Sequence, residues 1–112
     1  MGTTTPKALI ESKMAEDLLT MQYTAVNCKA AIDKLTATNI TAGNVTMIVY
    51  LVPNGGTPDT SNKLPTVNIA AGKSWPFPDA IGHILESGDA IWTDPGAATS
   101  INIRASGREI VS

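Results

Sequence analysis

The stretch TMIVYLVPNGGTPDTSNKLP, residues 46–65, decides the fold, because the most apolar run of the chain ends there in a loop of small polar residues. The run Met47–Val52 is far shorter than the ~20 residues that a membrane-spanning helix needs, and its β-branched and aromatic side chains favour a strand. Apolar side chains occupy both faces of this predicted strand, 44–53, so both faces need cover. The second face is covered either by the N-terminal segment or by another subunit or partner.

Turn signals, the last of them Ser106-Gly107, recur along the chain at intervals of roughly 8–16 residues, as short antiparallel strands produce. With nine glycines and seven prolines among 112 residues, the composition predicts a single all-β domain, residues 1–112, built as an antiparallel β-sandwich. Residues 1–22 are predicted to hold an N-terminal arm and the first strand region, and residues 23–112 the sandwich core. The predicted strands are 18–25, 28–38, 44–53, 64–71, 74–77, 89–93 and 99–105, with a possible further strand at 7–13.

Alternation predicts which side chains face the core. Ile101, Ile103 and Ala105 form one inward row, and Leu19, Met21 and Tyr23 form another. In strand 28–38, Ile32 and Leu35 fall on opposite faces, which a β-bulge near Asp33-Lys34 or burial on both sides would explain.

Three segments are less regular. Residues 8–19 carry apolar side chains at helical spacing, so a helix competes there with a strand, and the preceding residues resemble a flexible arm. Apolar spacing after Pro78-Asp79 predicts one short helical turn over residues 78–85. The pattern Asn39-Ile40-Thr41 matches a glycosylation acceptor, and we interpret it as turn and strand residues.

The composition favours no catalytic chemistry. A net charge of −2 with dispersed Lys and Arg argues against a nucleic-acid partner. The single histidine, His83, excludes a cluster of histidine ligands and leaves at most a mixed metal site with Cys28 and carboxylates, and we interpret Cys28 as a buried thiol. We therefore predict no catalytic residue, no metal and no cofactor. The first residues lack the features of a signal peptide, so we expect no export.

Two pairs of residues have alternative interpretations. Glu86 and Asp89 could act as paired carboxylates, but the sequence Ser87-Gly88-Asp89 favours a turn in which Asp89 binds backbone amides. Trp75 and Trp92 either pack in the protein or form a stacking platform for a sugar. The pair Gly55-Gly56 precedes no helix, which favours an exposed connection open to protein contact over a phosphate-binding loop.

Three phrases of the sequence carry a family resemblance: IDKLTATNITAGNVTMIVYLVPNGGTP, residues 32–58, VNIAAGKSWPFPDAIGHILESGDAIW, residues 67–92, and INIRASGREI, residues 101–110. Over roughly residues 23–110 the chain resembles the small β-sandwich virion proteins of tailed bacteriophages, in particular the head decoration, or cement, proteins. The resemblance implies a jelly-roll-like sandwich.

The resemblance also implies a structural function: binding to the major capsid protein on the outer surface of the virion capsid, after synthesis in the host cytoplasm, with homo-oligomer contacts and no membrane, nucleic-acid or small-molecule partner. A head–tail connector or tail-fibre domain is an alternative within the same family resemblance, and a carbohydrate-binding sandwich is one outside it. The predicted contact residues lie in the arm, on strand 44–53 and in the loop after it. They are Thr3, Thr5, Lys7, Ile48, Tyr50, Asn54, Gly55, Gly56 and Thr57.

Overall fold

A computed structural model describes residues 2–111 as two packed antiparallel β-sheets. Nine strands form them: β1 (Thr3–Met14), β2 (Thr20–Thr24), β3 (Lys29–Asn39), β4 (Val45–Val52), β5 (Val67–Ile69), β6 (Ser74–Trp75), β7 (Ile84–Leu85), β8 (Ala90–Pro95) and β9 (Ile101–Val111). Within residues 2–111 no helix is present, and therefore none that could cross a membrane.

The strand order is that of a jelly roll. Sheet A has the order β1-β9-β3-β6, and β7 also pairs with β3; sheet B has the order β2-β8-β4-β5. Because β6 and β7 pair with opposite ends of β3 on the side away from β9, they together occupy one strand position. The sheets then contain the first, eighth, third and sixth strands and the second, seventh, fourth and fifth, which is the arrangement of a double-sheet jelly roll. The predicted all-β sandwich is confirmed.

The hydrophobic core lies between the sheets and follows the alternation of the central strands. Ile101, Ile103 and Ala105 of β9 are buried, as predicted. Met47 and Val49 of β4 meet them from sheet B and are completely buried. These side chains belong to one hydrophobic cluster that draws on both sheets.

The predicted flexible arm is wrong, because Thr3, Thr5 and Lys7 lie in β1, which pairs with β9 along its length. The sequence left a helix and a strand open for residues 8–19, and residues 8–14 form part of strand β1. Alternation could not identify β1, since residues 3–8 are exposed on both faces and the next two residues, Leu9 and Ile10, are both buried. A bulge between Ala8 and Ile10 produces that break in the pattern.

β9 runs past Ser106-Gly107, where the sequence predicts a turn. Gly107 instead pairs with Ile32 on one side and Lys7 on the other. A Cβ atom on Gly107 would clash with the backbone oxygen of Ala31, so this glycine permits close backbone approach within the sheet.

Two further irregularities differ in outcome. The β-bulge predicted near Asp33-Lys34 is confirmed, and both Ile32 and Leu35 are completely buried. The helical turn predicted over residues 78–85 is wrong. Hydrogen-bonded turns replace it because Gly82 has a φ of 88° and its N–H donates to the carbonyl of Ile32 at 2.7 Å, drawing the chain onto β3.

Asn39 ties the end of β3 to sheet B. Its Nδ2 group donates to the carbonyl oxygens of Gly43 at 2.7 Å and Ile69 at 2.8 Å. Its Oδ1 atom accepts from the backbone N–H of Thr41 at 2.9 Å and the hydroxyl of Thr41 at 2.7 Å. The completely buried side chain therefore uses both donors and both acceptor positions, which agrees with its interpretation as a turn and strand residue.

Candidate assembly surfaces

The outer face of sheet B carries a row of large side chains. Met21, Trp92 and Tyr50 are direct register partners on β2, β8 and β4, and Tyr50 forms a bridge with Lys63 beyond them. Trp92 lies between two completely buried residues of β8 that face the core, so alternation directs its side chain outward. We call Met21, Trp92 and Tyr50 the aromatic row.

The aromatic row is open to solvent. Met21 is 50% exposed, and Trp92 and Tyr50 are partly exposed. Ile48 lies next to the row on β4, is partly exposed, and pairs with Asp94. The sequence allowed the N-terminal segment to cover this face. It does not do so, because β1 belongs to the other sheet.

Met21 shows where sequence reasoning failed. Leu19, Met21 and Tyr23 were expected to face the core together, but only Tyr23 is buried, while Leu19 is 40% exposed. A register shift between Met21 and Tyr23 turns Met21 outward to pair with Trp92, so the expected inward row is wrong. Met21 was therefore missed as a member of an exposed surface, and Trp92 was considered exposed only as part of a sugar platform with Trp75. Ile48 and Tyr50, which were predicted contact residues, do lie on it.

The loop after β4 is exposed but tied down at its start. The backbone N–H of Asn54 donates to Asp89 Oδ1 at 2.9 Å, and Gly56 N–H donates to the carbonyl of Pro53 at 2.8 Å. Gly55 has a φ of 81°, a conformation that glycine adopts without strain. The loop Asn54–Thr57 thus lies beside the turn at Asp89. The contacts that hold its predicted contact residues are separate from the pairing with β9 that holds the predicted contact residues of β1.

The N-terminal half of β1 forms a second exposed surface. Residues 3–8 are exposed on both faces and form one edge of sheet A. Lys7 contacts Glu109 of β9, with Nζ–Oε2 at 3.2 Å. The same carboxylate oxygen accepts a hydrogen bond from the hydroxyl of Tyr23 on β2 at 2.6 Å. Glu109 therefore contacts both the edge strand of its own sheet and a strand of sheet B.

The contacts of Glu109 shift two pKa values. The hydrogen bond from Tyr23, followed by the contact with Lys7, lowers the pKa of Glu109 below its ordinary value of 4.5. Burial, with the neighbouring carboxylate of Glu109, raises the pKa of the Tyr23 hydroxyl. Tyr23 therefore stays protonated and donates to an ionised Glu109 at neutral pH.

The residues that were considered for catalysis or for sugar stacking lie among structural contacts. Asp89 Oδ2 accepts the backbone N–H of Glu86 at 2.8 Å, so both oxygens of Asp89 bind loop amides, as the turn interpretation expected. Cys28 is buried, which confirms its interpretation as a buried thiol. Trp75 lies in sheet A opposite Ala37, whereas Trp92 lies on the outer face of sheet B, so the two do not form one stacking platform.

One open groove of about 440 Å³ lies between the segment before β5 and β7. Leu51, Leu64 and Ile84 line it together with His83 and Asp89. Asp89 is occupied by backbone amides, and no group of three or more His, Cys, Asp or Glu side chains suited to a metal occurs within residues 2–111.

The molecule is thus a jelly-roll β-sandwich whose exposed features include a sheet face, a sheet edge and the loop after β4. A solved structure of Bacillus endospore appendages, described as a novel family of disulfide-linked pili, contains a chain with a similar fold. The TM-score is 0.59 at 17% sequence identity, over 100% of this chain and 92% of that chain. No protein-family model matches the sequence, and no curated protein matches it significantly.

Proposed function

We propose that this protein is a non-enzymatic structural subunit that assembles with other copies of itself through the outer face of sheet B. The observation that carries the proposal is the aromatic row, in which Met21, Trp92 and Tyr50 stand side by side across three strands and remain open to solvent. Trp and Tyr are the residue types most enriched among side chains that dominate protein–protein binding.

The composition of this face supports a protein partner. Ile48 extends the apolar surface, while Lys63 and Asp94 place charges of opposite sign at its margin. An apolar centre with a polar rim is the usual arrangement of a protein interface. The chain shares its fold with a chain from a structure of Bacillus endospore pili, and this likeness supports self-assembly.

The capsid shell stays the partner that the sequence resemblance predicts. Decoration of a capsid and self-assembly both require a stable sandwich with an exposed contact face, and both are compatible with the row. Quantitative mass spectrometry of purified phage particles distinguishes them: near-stoichiometric abundance relative to the major shell protein supports decoration, and a few copies per particle support a connector or tail location.

The self-assembly proposal is tested with Trp92→Thr and, as a matched control, Trp75→Thr. Threonine maintains strand propensity in both. Trp75 is 39% exposed but lies in β6, outside the row. Sedimentation velocity of the full chain over a range of concentrations should show association weakened at least about tenfold by Trp92→Thr, the effect of losing a central interface anchor, and little changed by Trp75→Thr.

Circular dichroism and urea unfolding verify that both variants fold. Equal weakening by the two substitutions, or a wild-type chain that stays monomeric throughout, would contradict the proposal.

A further inference from the structure

We propose that residues 3–8 of β1 are exchanged between two copies, so that this segment of one chain pairs with β9 of another. The inference rests on the proposed self-assembly and adds to it a second contact between copies, at the edge of sheet A, beside the one through the outer face of sheet B. We call residues 3–8 the exchange segment.

The exchange segment is attached to its own chain outside the core. Both of its faces are exposed, so it buries no side chain in the core. It is attached through backbone pairing with residues 106–111 and through the contact of Lys7 with Glu109. The following residues Leu9 and Ile10 are buried and anchor the rest of β1. Detaching the segment therefore leaves the core packing intact.

The boundary between the exchange segment and the anchored part has a hinge. The register of β1 against β9 shifts between Ala8 and Ile10, and shifts again between Ile10 and Lys13. A bulge bends a strand and increases its local twist, so a change of direction at Leu9 begins from a backbone that is already irregular. The segment can turn outward there toward a neighbouring edge.

The docking site on β9 specifies its occupant by charge. Glu109 carries a carboxylate whose geometry is fixed by the hydroxyl of Tyr23 at 2.6 Å, and it faces the position of Lys7. A strand placed here with a lysine at the matching position satisfies the carboxylate. The exchange segment of a second copy carries that lysine in the same register, so exchange restores each contact that opening removes. Such reciprocal replacement of an identical element is a low-cost route to a dimer.

The test exploits charge reversal in the full chain. Lys7→Glu alone places two carboxylates together, and Glu109→Lys alone places two ammonium groups together, whether the strand is exchanged or not. In an exchanged dimer formed by one chain of each kind, the introduced glutamate of one chain would face the introduced lysine of the other. The unchanged Lys7 and Glu109 would meet at the second site, so both sites are matched. Without exchange, mixing leaves every mismatch inside its own chain.

With one variant isotope-labelled, native mass spectrometry separates mixed from unmixed dimers. We expect mixed dimers to form at least about tenfold more readily than either unmixed dimer, because two repulsive contacts become two attractive ones. Lys34→Glu mixed with Glu11→Lys is the control, since these exposed residues change the net charge equally without facing each other in the described register. The control mixture should show no such preference.

A second measurement keeps the test valid if a charge reversal prevents folding. Thr3 and Val111 are register partners, so Thr3→Cys with Val111→Cys, in a Cys28→Ala background, places two thiols opposite each other. Oxidation should give covalent dimers if the segment is exchanged, and only internally linked monomers if it is not.

The outcomes separate the two proposals. Preferential mixed dimers and covalent dimers support exchange. A wild-type chain that associates while the charge mixture shows no preference and oxidation yields monomers would overturn exchange and leave self-assembly in place. A wild-type chain that never associates would overturn both.

Discussion

Replacing Asn39 by Asp exchanges an NH₂ group for an oxygen in a completely buried side chain. The new oxygen would face the carbonyl oxygens of Gly43 and Ile69, which Nδ2 of Asn39 contacts at 2.7 and 2.8 Å. An ionised carboxylate beside two carbonyls, away from water, is disfavoured, so the pKa of the introduced acid should rise. We expect Asn39→Asp to destabilise the fold strongly at neutral pH and much less in acid.

The magnitude follows from the cost of protonation. Keeping an acid with an unperturbed pKa of about 3.9 neutral at pH 7 costs about 4 kcal/mol. The neutral acid donates one hydrogen bond where the amide donated two, which costs about 1 kcal/mol more. The sum of about 5 kcal/mol is comparable to the whole stability of many small domains. Near pH 4 the protonation cost almost vanishes, and the loss should fall to about 1–2 kcal/mol.

Urea unfolding of the full chain at pH 7 and pH 4 measures both values. Asn68→Asp is the matched control, because Asn68 is exposed on β5 next to Ile69 and should change the free energy of unfolding by no more than about 0.5 kcal/mol. The reasoning would be refuted if Asn39→Asp cost less than about 1 kcal/mol at pH 7, or if its cost were the same at both pH values.

Two further predictions concern β9. Gly107→Ala should lower the free energy of unfolding by about 2 kcal/mol or more, because the added Cβ meets the backbone oxygen of Ala31. The control Gly43→Ala should be nearly neutral, because its added Cβ meets no atom within 4 Å. Similar urea midpoints for the two variants would contradict this prediction. For Glu109, the pKa lowered mainly by Tyr23 means that the contribution to stability is complete above about pH 4.5 and is lost as the pH falls through the lowered value. Between pH 6 and pH 3 wild type should therefore lose more stability than Glu109→Gln, and equal losses would show that the contact contributes nothing.

The central strands were predictable because their environment is regular. β9 alternates between core and solvent, so Ile103 could be placed in the core from the sequence, whereas the apolar residues on both faces of β4 predicted the strand but not which face meets the core. β1 lacked such a pattern, since an edge segment exposed on both faces leaves no periodic signal. Gly107 was misread as a turn because its function depends on the backbone of β3, which is distant in sequence.

Part of the candidate surface was also predictable from the pattern of a central strand. Ile48 and Tyr50 stand out because they make the second face of a central strand apolar. That Trp92 is their neighbour depends on the register of β8 against β4, and register between distant strands is not visible in either strand alone. The face could therefore be located from the sequence, but not its composition.

Single inserted residues decide much of what this sandwich exposes. The bulge at Asp33 keeps both neighbouring apolar positions of β3 in the core, whereas the register shift at Gln22 turns Met21 outward beside Trp92. The shift at Leu9 separates an anchored strand from an exposed segment. Because a shift of one residue moves side chains from one face to the other, each insertion changes the availability of a surface without altering the strand order. The same jelly roll can therefore carry different contact surfaces through changes that scarcely affect its core.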